Sequence, residues 1–305
     1  MNQVEHHEYR SGFCAFVGRP NAGKSTLTNA LVGSKIVITS DKPQTTRRAV
    51  RGVLSRPDGQ LVIVDTPGLH RPRTLLGQRL NDVVRETLAE VDVVGFCIPA
   101  NDKIGPGDRF IAAELKALKA PAIAIVTKTD TVNKQRVAEQ LLAISQLGEF
   151  VEIVPVSARA GDQVELLAGL LLSRLPVGPQ LYPDTMTTDE SEQSRIAELI
   201  REAALADVRD ELPHSIAVTV EEMNPREHTG SGRLPLIDIF ATLHLERSSQ
   251  KPIILGSGGS RLKRIGTEAR RGIEQLLGRQ VNLNLHVAVM GEWQRDPKKL
   301  DRLGF

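Results

Sequence analysis

The run Gly18-Arg-Pro-Asn-Ala-Gly-Lys24-Ser25 fits the pattern G-x-x-x-x-G-K-[ST] and limits the possible folds more than any other feature of this 305-residue chain. Such a loop holds phosphate when a strand leads into it and a helix leads out of it. Glycines let successive backbone N–H groups turn inward around phosphate oxygens, and the helix N-terminus adds partial positive charge. Lys24 supplies a point charge for the β and γ phosphates, and the Ser25 hydroxyl is a ligand for Mg²⁺. A chance octapeptide lacks this setting. Here the apolar run Phe13–Val17 reads as the strand and Lys24–Leu31 as the helix. Gly18, Arg19, Pro20, Asn21, Ala22, Gly23, Lys24, Ser25 and Thr26 are therefore the candidate phosphate-binding residues.

Apolar runs alternate with helical patterns up to Leu175. Ala49–Leu54, Leu61–Val64, Val91–Ile98, Ala122–Val126 and Ile153–Val156 read as strands, the first two joined by the turn-forming residues 56–59. Leu75–Ala89, Phe110–Lys119, Lys134–Gln146 and Gln163–Leu175 read as helices. This order predicts an α/β domain over 1–175, with a mainly parallel sheet covered by helices on both faces. Residues 176–190 carry three prolines and no periodicity, which predicts a linker. A helix over Ser191–Leu212 follows, stopped by Pro213, then strands over Ser215–Val220 and Leu236–Leu245. The short segment Lys251–Leu255, a helix over Ser260–Leu277 capped by Gly278, and a strand over Val281–Val289 complete an α+β domain over 191–305.

Three more loops of the first domain follow strands. Asp65-Thr66-Pro67-Gly68 places an acidic residue where it can hold Mg²⁺ through water, and a glycine whose N–H can meet a γ-phosphate. The same four residues could alone be an ordinary turn. Between this loop and the first lies Gln44-Thr45-Thr46-Arg47, of which Thr46 is the preferred third Mg²⁺ ligand. Thr127-Lys128-Thr129-Asp130 and Ser157-Ala158 follow the strands ending at Val126 and Val156. Open α/β sheets bind ligands outside the carboxyl ends of their strands.

With these loops the chain resembles the translation-factor-class P-loop GTPases. The family pattern Asn-Lys-x-Asp is matched at Lys128 and Asp130, and Asp130 then implies guanine, pairing with two of its N–H groups. Ser157 and Ala158 resemble the loop that contacts the guanine carbonyl. The implied ligands are GTP and GDP with Mg²⁺, and the implied catalytic residues are Lys24, Thr46, Gly68 and Asn21. Thr127 departs from the pattern, because the family asparagine touches the base and braces the phosphate loop together. A threonine hydroxyl has one proton, so affinity is expected to fall by ~1–2 kcal/mol. Leu69 stands where signalling GTPases carry a water-orienting glutamine, so turnover should be slow. In several relatives an asparagine at the position of Asn21 helps hold K⁺, which implies stimulation by potassium. His70 is expected to be solvated rather than a general base.

Net charge is only +2, so a polyanion partner must be sought in the distribution of charge. Region 247–279 holds eight Lys and Arg against Glu268 and Glu274, an excess of six. Gly256-Ser257-Gly258-Gly259 directly precedes the basic helix. A G-x-x-G loop between two helices clamps the backbone of four single-stranded nucleotides. The order helix, strand, strand, helix, loop, helix, strand predicts a type II KH domain. Its RNA-binding candidates are Gly256, Ser257, Gly258, Gly259, Arg261, Lys263, Arg264 and Arg270.

From end to end the chain resembles the bacterial Era family, through GRPNAGKSTLTNAL, DKPQTTR, DTPGLH, VPVSA, ELPHSIAV, Leu262-Lys-Arg-Ile-Gly266 and Gly266-Thr-Glu-Ala-Arg270. The resemblance implies slow GTP hydrolysis, binding of small-subunit ribosomal RNA near its 3′ end, and assistance in maturation of the small ribosomal subunit. It also implies peripheral association with the inner face of the plasma membrane in some members, and a monomer. Loops 39–47 and 66–75 and residues 176–190 are the expected coupling elements between nucleotide and RNA. Two alternatives stay open: a related GTPase acting on tRNA or another ribosomal particle, and an RNA-binding assembly factor whose nucleotide site has decayed at Thr127. Residues 1–12 lack the apolar core of a signal peptide, and no apolar run reaches the ~18 residues of a membrane span. The expected location is the cytosol, where Cys14 and Cys97 are expected to be buried structural thiols.

Overall fold

Every residue of the strands Gly59–Asp65 (β3) and Val93–Pro99 (β4) is buried, as central strands covered on both faces must be. The computed structural model describes residues 8–42, 44–69, 72, 74–118, 120–206, 208, 212–226 and 236–305. They form two compact units, one drawn mainly from residues up to Asp189 and the other mainly from Glu190–Phe305.

The first unit holds a six-stranded sheet. With β1 at Arg10–Val17, β2 at Val50–Arg56, β5 at Ala122–Thr127 and β6 at Glu152–Pro155, the strand order is β2-β3-β1-β4-β5-β6. Only β2, paired to β3 through the turn at Pro57 and Asp58, runs antiparallel. Alternation along β1 sends Cys14 and Phe16 to one face and Ala15 and Val17 to the other. The first pair packs with Leu27 and Leu31 of α1 (Lys24–Val32) and Leu167 and Leu171 of α5 (Val164–Ser173). The second packs with Val84 of α2 (Leu75–Glu90), Ile111 and Leu115 of α3 (Pro106–Lys116) and Ile144 of α4 (Lys134–Ser145). Gly95 faces Phe16 across the ladder, and a Cβ there would lie 2.5 Å from the ring.

Both cysteines are buried beneath α1 and α5, and neither is in a disulfide. Burial pushes both thiols up, that of Cys97 to about 12. Iodoacetamide at pH 8 should therefore leave both unmodified in the folded protein and alkylate both after denaturation, read by mass spectrometry.

Residues 176–189 run along the first unit. Pro176 accepts from the Ser11 N–H at 3.1 Å, Gln60 accepts from the N–H groups of Leu181 and Tyr182, and Asp189 pairs with Arg51 at 3.1 Å.

In the second unit, β7 (Ala217–Pro225) is antiparallel to β8 (Ile237–Leu245), and β8 is parallel to β9 (Val281–Val289). Ile196 and Ile200 of α6 (Glu192–Leu205) and Ala269 and Ile273 of α8 (Ser260–Leu277) cover one sheet face. The helix expected to reach Leu212 ends at Leu205; Leu212–Ser215 forms a separate 3-10 turn with Leu212 and Pro213 buried. Leu255 closes a short helix, α7 (Lys251–Leu255), and Gly278 caps α8 in the left-handed region as expected. A final helix, α9 (Pro297–Leu303), lies beyond every expected element. Before it Trp293 is fully buried, donates Nε1–H to the Ser215 carbonyl at 3.3 Å, and stacks on Phe305 at 5.7 Å.

Ile38–Thr45 also belongs to this unit. Ile38 shares a core with Leu243 and Ile254. The buried Arg201 pairs with Glu198 and donates to the Thr45 carbonyl, while Glu202 accepts from the Thr39 N–H at 3.0 Å. Among the described residues no helix is long and apolar enough to cross a membrane.

Candidate functional site

The loops after β1, β3, β5 and β6 all leave the carboxyl edge of the first sheet, which brings the four motifs together. Gly23 enters α1 with φ 89°, a conformation that favours glycine. Asn21 is also left-handed, at φ 63°, which asparagine tolerates better than most residues. Lys24 is buried, and its Nζ donates to the Gly18 and Arg19 carbonyls at 3.1 Å each.

One carboxylate oxygen of Asp65 gathers the proposed metal ligands. Its Oδ2 accepts from Ser25 Oγ at 2.8 Å and Thr46 Oγ1 at 3.1 Å, and the two hydroxyls lie 2.9 Å apart. Asp65 is fully buried, and its Oδ1 has no hydrogen-bond partner among the described residues. Burial pushes this carboxyl up, opposed by Lys24 and the two hydroxyls; burial likewise pulls the Lys24 ammonium down, opposed by Asp65. A buried anionic oxygen beside two hydroxyls is a hard-oxygen set of the kind Mg²⁺ takes, with its remaining positions left to phosphate and water.

Thr66 Oγ1 donates to the Phe16 carbonyl at 2.7 Å and fixes the loop after β3. After Pro67, Gly68 passes so close to the phosphate loop that a Cβ would lie 2.8 Å from Pro20 N and 2.9 Å from Pro20 Cα. Leu69 is buried in the core with Val17 and Val84 and carries no polar atom that could orient a water. His70 lies outside the described residues.

On the base side, Ser157 is fully buried and its Oγ donates to Asp130 Oδ1 at 2.6 Å, which orients that carboxylate. The same Oγ accepts from the Ala160 N–H at 3.1 Å and so holds the turn after Ala158. Lys128 is left-handed at φ 58°, and Thr129 opens a 3-10 turn carrying Asp130. Thr127 Oγ1 donates to the Ala22 carbonyl at 2.6 Å. The threonine thus braces the phosphate loop, one of the two tasks assigned to the family asparagine.

In the second unit the loop Gly256–Gly259 separates α7 from α8. Gly258 and Gly259 are left-handed, at φ 58° and 80°, and a Cβ on either would meet none of the described residues within 4 Å. Their backbone is therefore open to close approach. Lys263 and Arg264 are exposed on the first turns of α8. Arg261 instead donates to the Ile253 carbonyl at 2.8 Å, bracing the end of α7. Arg270 lies two turns further along and faces Glu274 at 3.9 Å. Sequence reading missed Asp108 and Asp102, which hold the Arg19 side chain.

Residues 13–128 match the family described as 50S ribosome-binding GTPase, and residues 211–294 match the KH domain family. The chain is 64% identical to GTPase Era of Streptomyces coelicolor over 97% of its own length and 95% of the relative's. It belongs to the Era family of GTPases. Family members from Nocardioides sp. and Mycolicibacterium smegmatis are 63% and 59% identical, each over at least 96% of both chains. Among solved structures, Era in complex with MgGDPNP and nucleotides 1506–1542 of 16S ribosomal RNA superposes with a TM-score of 0.92 at 37% identity, covering 97% of this chain and 99% of that one. A variant of Aquifex aeolicus Era bound to GDP and aluminium fluoride gives 0.91, also at 37% identity and with the same coverage.

Proposed function

We propose that this protein binds GTP and GDP, hydrolyses GTP slowly, and carries the 3′ region of small-subunit ribosomal RNA on its KH unit to assist maturation of that subunit. The observation that carries the first part is the convergence of Ser25, Thr46 and a fully buried Asp65 beside Lys24. The second part rests on the open Gly258-Gly259 backbone and the exposed Lys263 and Arg264, together with the Era structure bound to 16S RNA. The proposed domain limits are 1–175 for the GTPase domain, 176–190 for the connection and 191–305 for the KH domain.

Backbone N–H groups of Gly18–Ser25 surround the phosphates, Lys24 leaves its carbonyl partners for them, and Asp130 selects guanine. Ser25, Thr46 and Asp65 would hold Mg²⁺, which supplies charge neutralisation on the phosphate oxygens when bound. Gly68 offers its N–H to the terminal phosphate, and the small distance to Pro20 leaves no room for a side chain there. Because Leu69 is in the core, the attacking water has no side-chain guide at that position, which supports slow turnover.

Asn21 is the proposed potassium contact. GTP turnover in KCl should exceed that in NaCl by about tenfold, corresponding to ~1.4 kcal/mol of barrier. Asn21→Gly keeps the left-handed backbone and removes the amide, so it should erase the difference while GDP affinity persists. The proposed setting is a cytosolic monomer with peripheral access to the inner membrane face.

On the KH unit, Lys263→Glu with Arg264→Glu should weaken binding of a single-stranded oligonucleotide copying the small-subunit rRNA 3′ end. The slope of log affinity against log salt should fall by about 1.4 for two lost phosphate contacts. The test of the whole reading is titration with fluorescent GDP and GTP analogues, with ATP as competitor, followed by turnover with and without that oligonucleotide. Displacement by GTP but not ATP, and turnover that rises with RNA, are expected. Equal displacement by ATP, or saturable RNA binding with no nucleotide binding, would leave an RNA-binding assembly factor.

A further inference from the structure

Two cations stand in the phosphate loop, and the simplest assignment gives both to phosphate. Lys24 lies inside the loop, but Arg19 points elsewhere. Its Nε donates to Asp108 Oδ1 at 2.8 Å, in the first turn of α3. Its Nη2 reaches Asp102 Oδ2 at 3.3 Å and the Lys103 carbonyl at 3.5 Å. Asp108 is fully buried, and its second oxygen accepts from the Gly105 N–H at 2.8 Å. Both oxygens are therefore committed, and Arg19 is the cation that compensates the buried charge. The stem of Arg19 lies on Gly107, where a Cβ would come within 2.9 Å of Arg19 Cδ. The main chain of the same residue faces the nucleotide site: its carbonyl accepts from Lys24 Nζ at 3.1 Å and from the Ala22 N–H at 3.2 Å.

We propose that Arg19 is a positioning residue, whose side chain straps the phosphate loop to the first turn of α3 and holds it in binding shape before nucleotide arrives. The inference rests on assigning this site to guanine nucleotide. A loop ordered in advance loses less freedom on binding, so the strap raises affinity for every ligand that uses the loop. Arg19 makes no choice between GTP and GDP, and its effect runs through Asp108. Arginine suits the role because its planar fork engages Asp108 and Asp102 together, whereas a lysine has a single point of charge.

The test compares Arg19→Gln, Arg19→Lys, Asp108→Asn and the double variant Arg19→Gln/Asp108→Asn. Arg19→Gln and Asp108→Asn should each raise the dissociation constants of GDP and GTP by the same factor, about tenfold, with Arg19→Lys in between. The double variant should lose little more than either single one, because both remove the same strap. In nucleotide-free protein, amide hydrogen exchange across Gly18–Thr26 should quicken by a similar factor in both single variants. That measurement judges the strap even if the wild type binds no guanine nucleotide, an outcome that would overturn the proposed function instead. A loss confined to GTP, additive effects of the two substitutions, or unchanged exchange in Asp108→Asn would overturn the strap and make Arg19 a phosphate ligand.

Discussion

Asp65→Asn is expected to abolish the magnesium dependence of GTP affinity and to lower GTP turnover by at least about 10²-fold. The carboxylate is fully buried and gathers both Ser25 and Thr46 through one oxygen. Asparagine keeps the shape and removes the charge. Lewis-acid stabilisation of a phosphoryl transfer is worth several kcal/mol, and each ~1.4 kcal/mol is tenfold in rate. The same substitution removes the anion that favours a charged Lys24 against its burial, so the ammonium should deprotonate more easily. Affinity measured with magnesium and with EDTA should become equal in the variant. A variant that still binds GTP more tightly with magnesium would show that Asp65 does not hold the metal.

Thr127→Val should raise the dissociation constants of GDP and GTP by a factor of ~5 to 150, and Thr127→Ser should restore most of the loss. Valine matches threonine in shape but cannot donate to the Ala22 carbonyl, now served at 2.6 Å. Ala22 is almost fully buried, so its carbonyl would lose a partner out of reach of water, a cost of about 1–3 kcal/mol. Preference for guanine over adenine should persist, because Asp130 keeps its own support from Ser157. Thr127→Asn is expected to tighten binding by up to ~1–2 kcal/mol, the worth of the base contact that threonine cannot make. Fluorescent-nucleotide titration of the variants reads all of these, and unchanged affinity in Thr127→Val would remove the bracing role.

The placing of Gly18–Ser25, Asp65 and Asp130 at one edge of the sheet was legible in the sequence because each motif directly follows a strand. The place of the glycine loop before α8 was legible as well. What sequence could not show are partners far apart in the chain. Arg19 meets Asp108 across 89 positions, and Arg201 meets Thr45 across 156. Arg201 follows Ile200 in α6 and is buried with it. Leu69 was legible as a missing glutamine but not as a core residue, since a loop has no periodicity to reveal which way a side chain turns. Pro213 as a helix stop placed the end of α6 too late: the chain leaves the helix after Leu205, and Leu212 and Pro213 are buried in a turn of their own. The signals for α9 were local and present. Asp296 caps the helix by accepting from the Lys298 N–H at 3.0 Å, Pro297 follows it, and Gly304 ends it, but no strand alternation pointed there.

The chain contains a single tryptophan, and it is Trp293, sealed against Ser215 and Phe305 in the second unit. Intrinsic emission excited at the red edge of the indole band is therefore an optical report on that unit alone. Guanine nucleotide bound in the first unit at a hundred times its dissociation constant adds ~2.7 kcal/mol to whatever melts with the site. If the tryptophan-detected melting temperature climbs as GDP is added, the size of the climb measures how much free energy one unit lends the other. A tryptophan melt indifferent to GDP, beside a nucleotide-sensitive transition in circular dichroism, would describe two units that unfold on separate accounts.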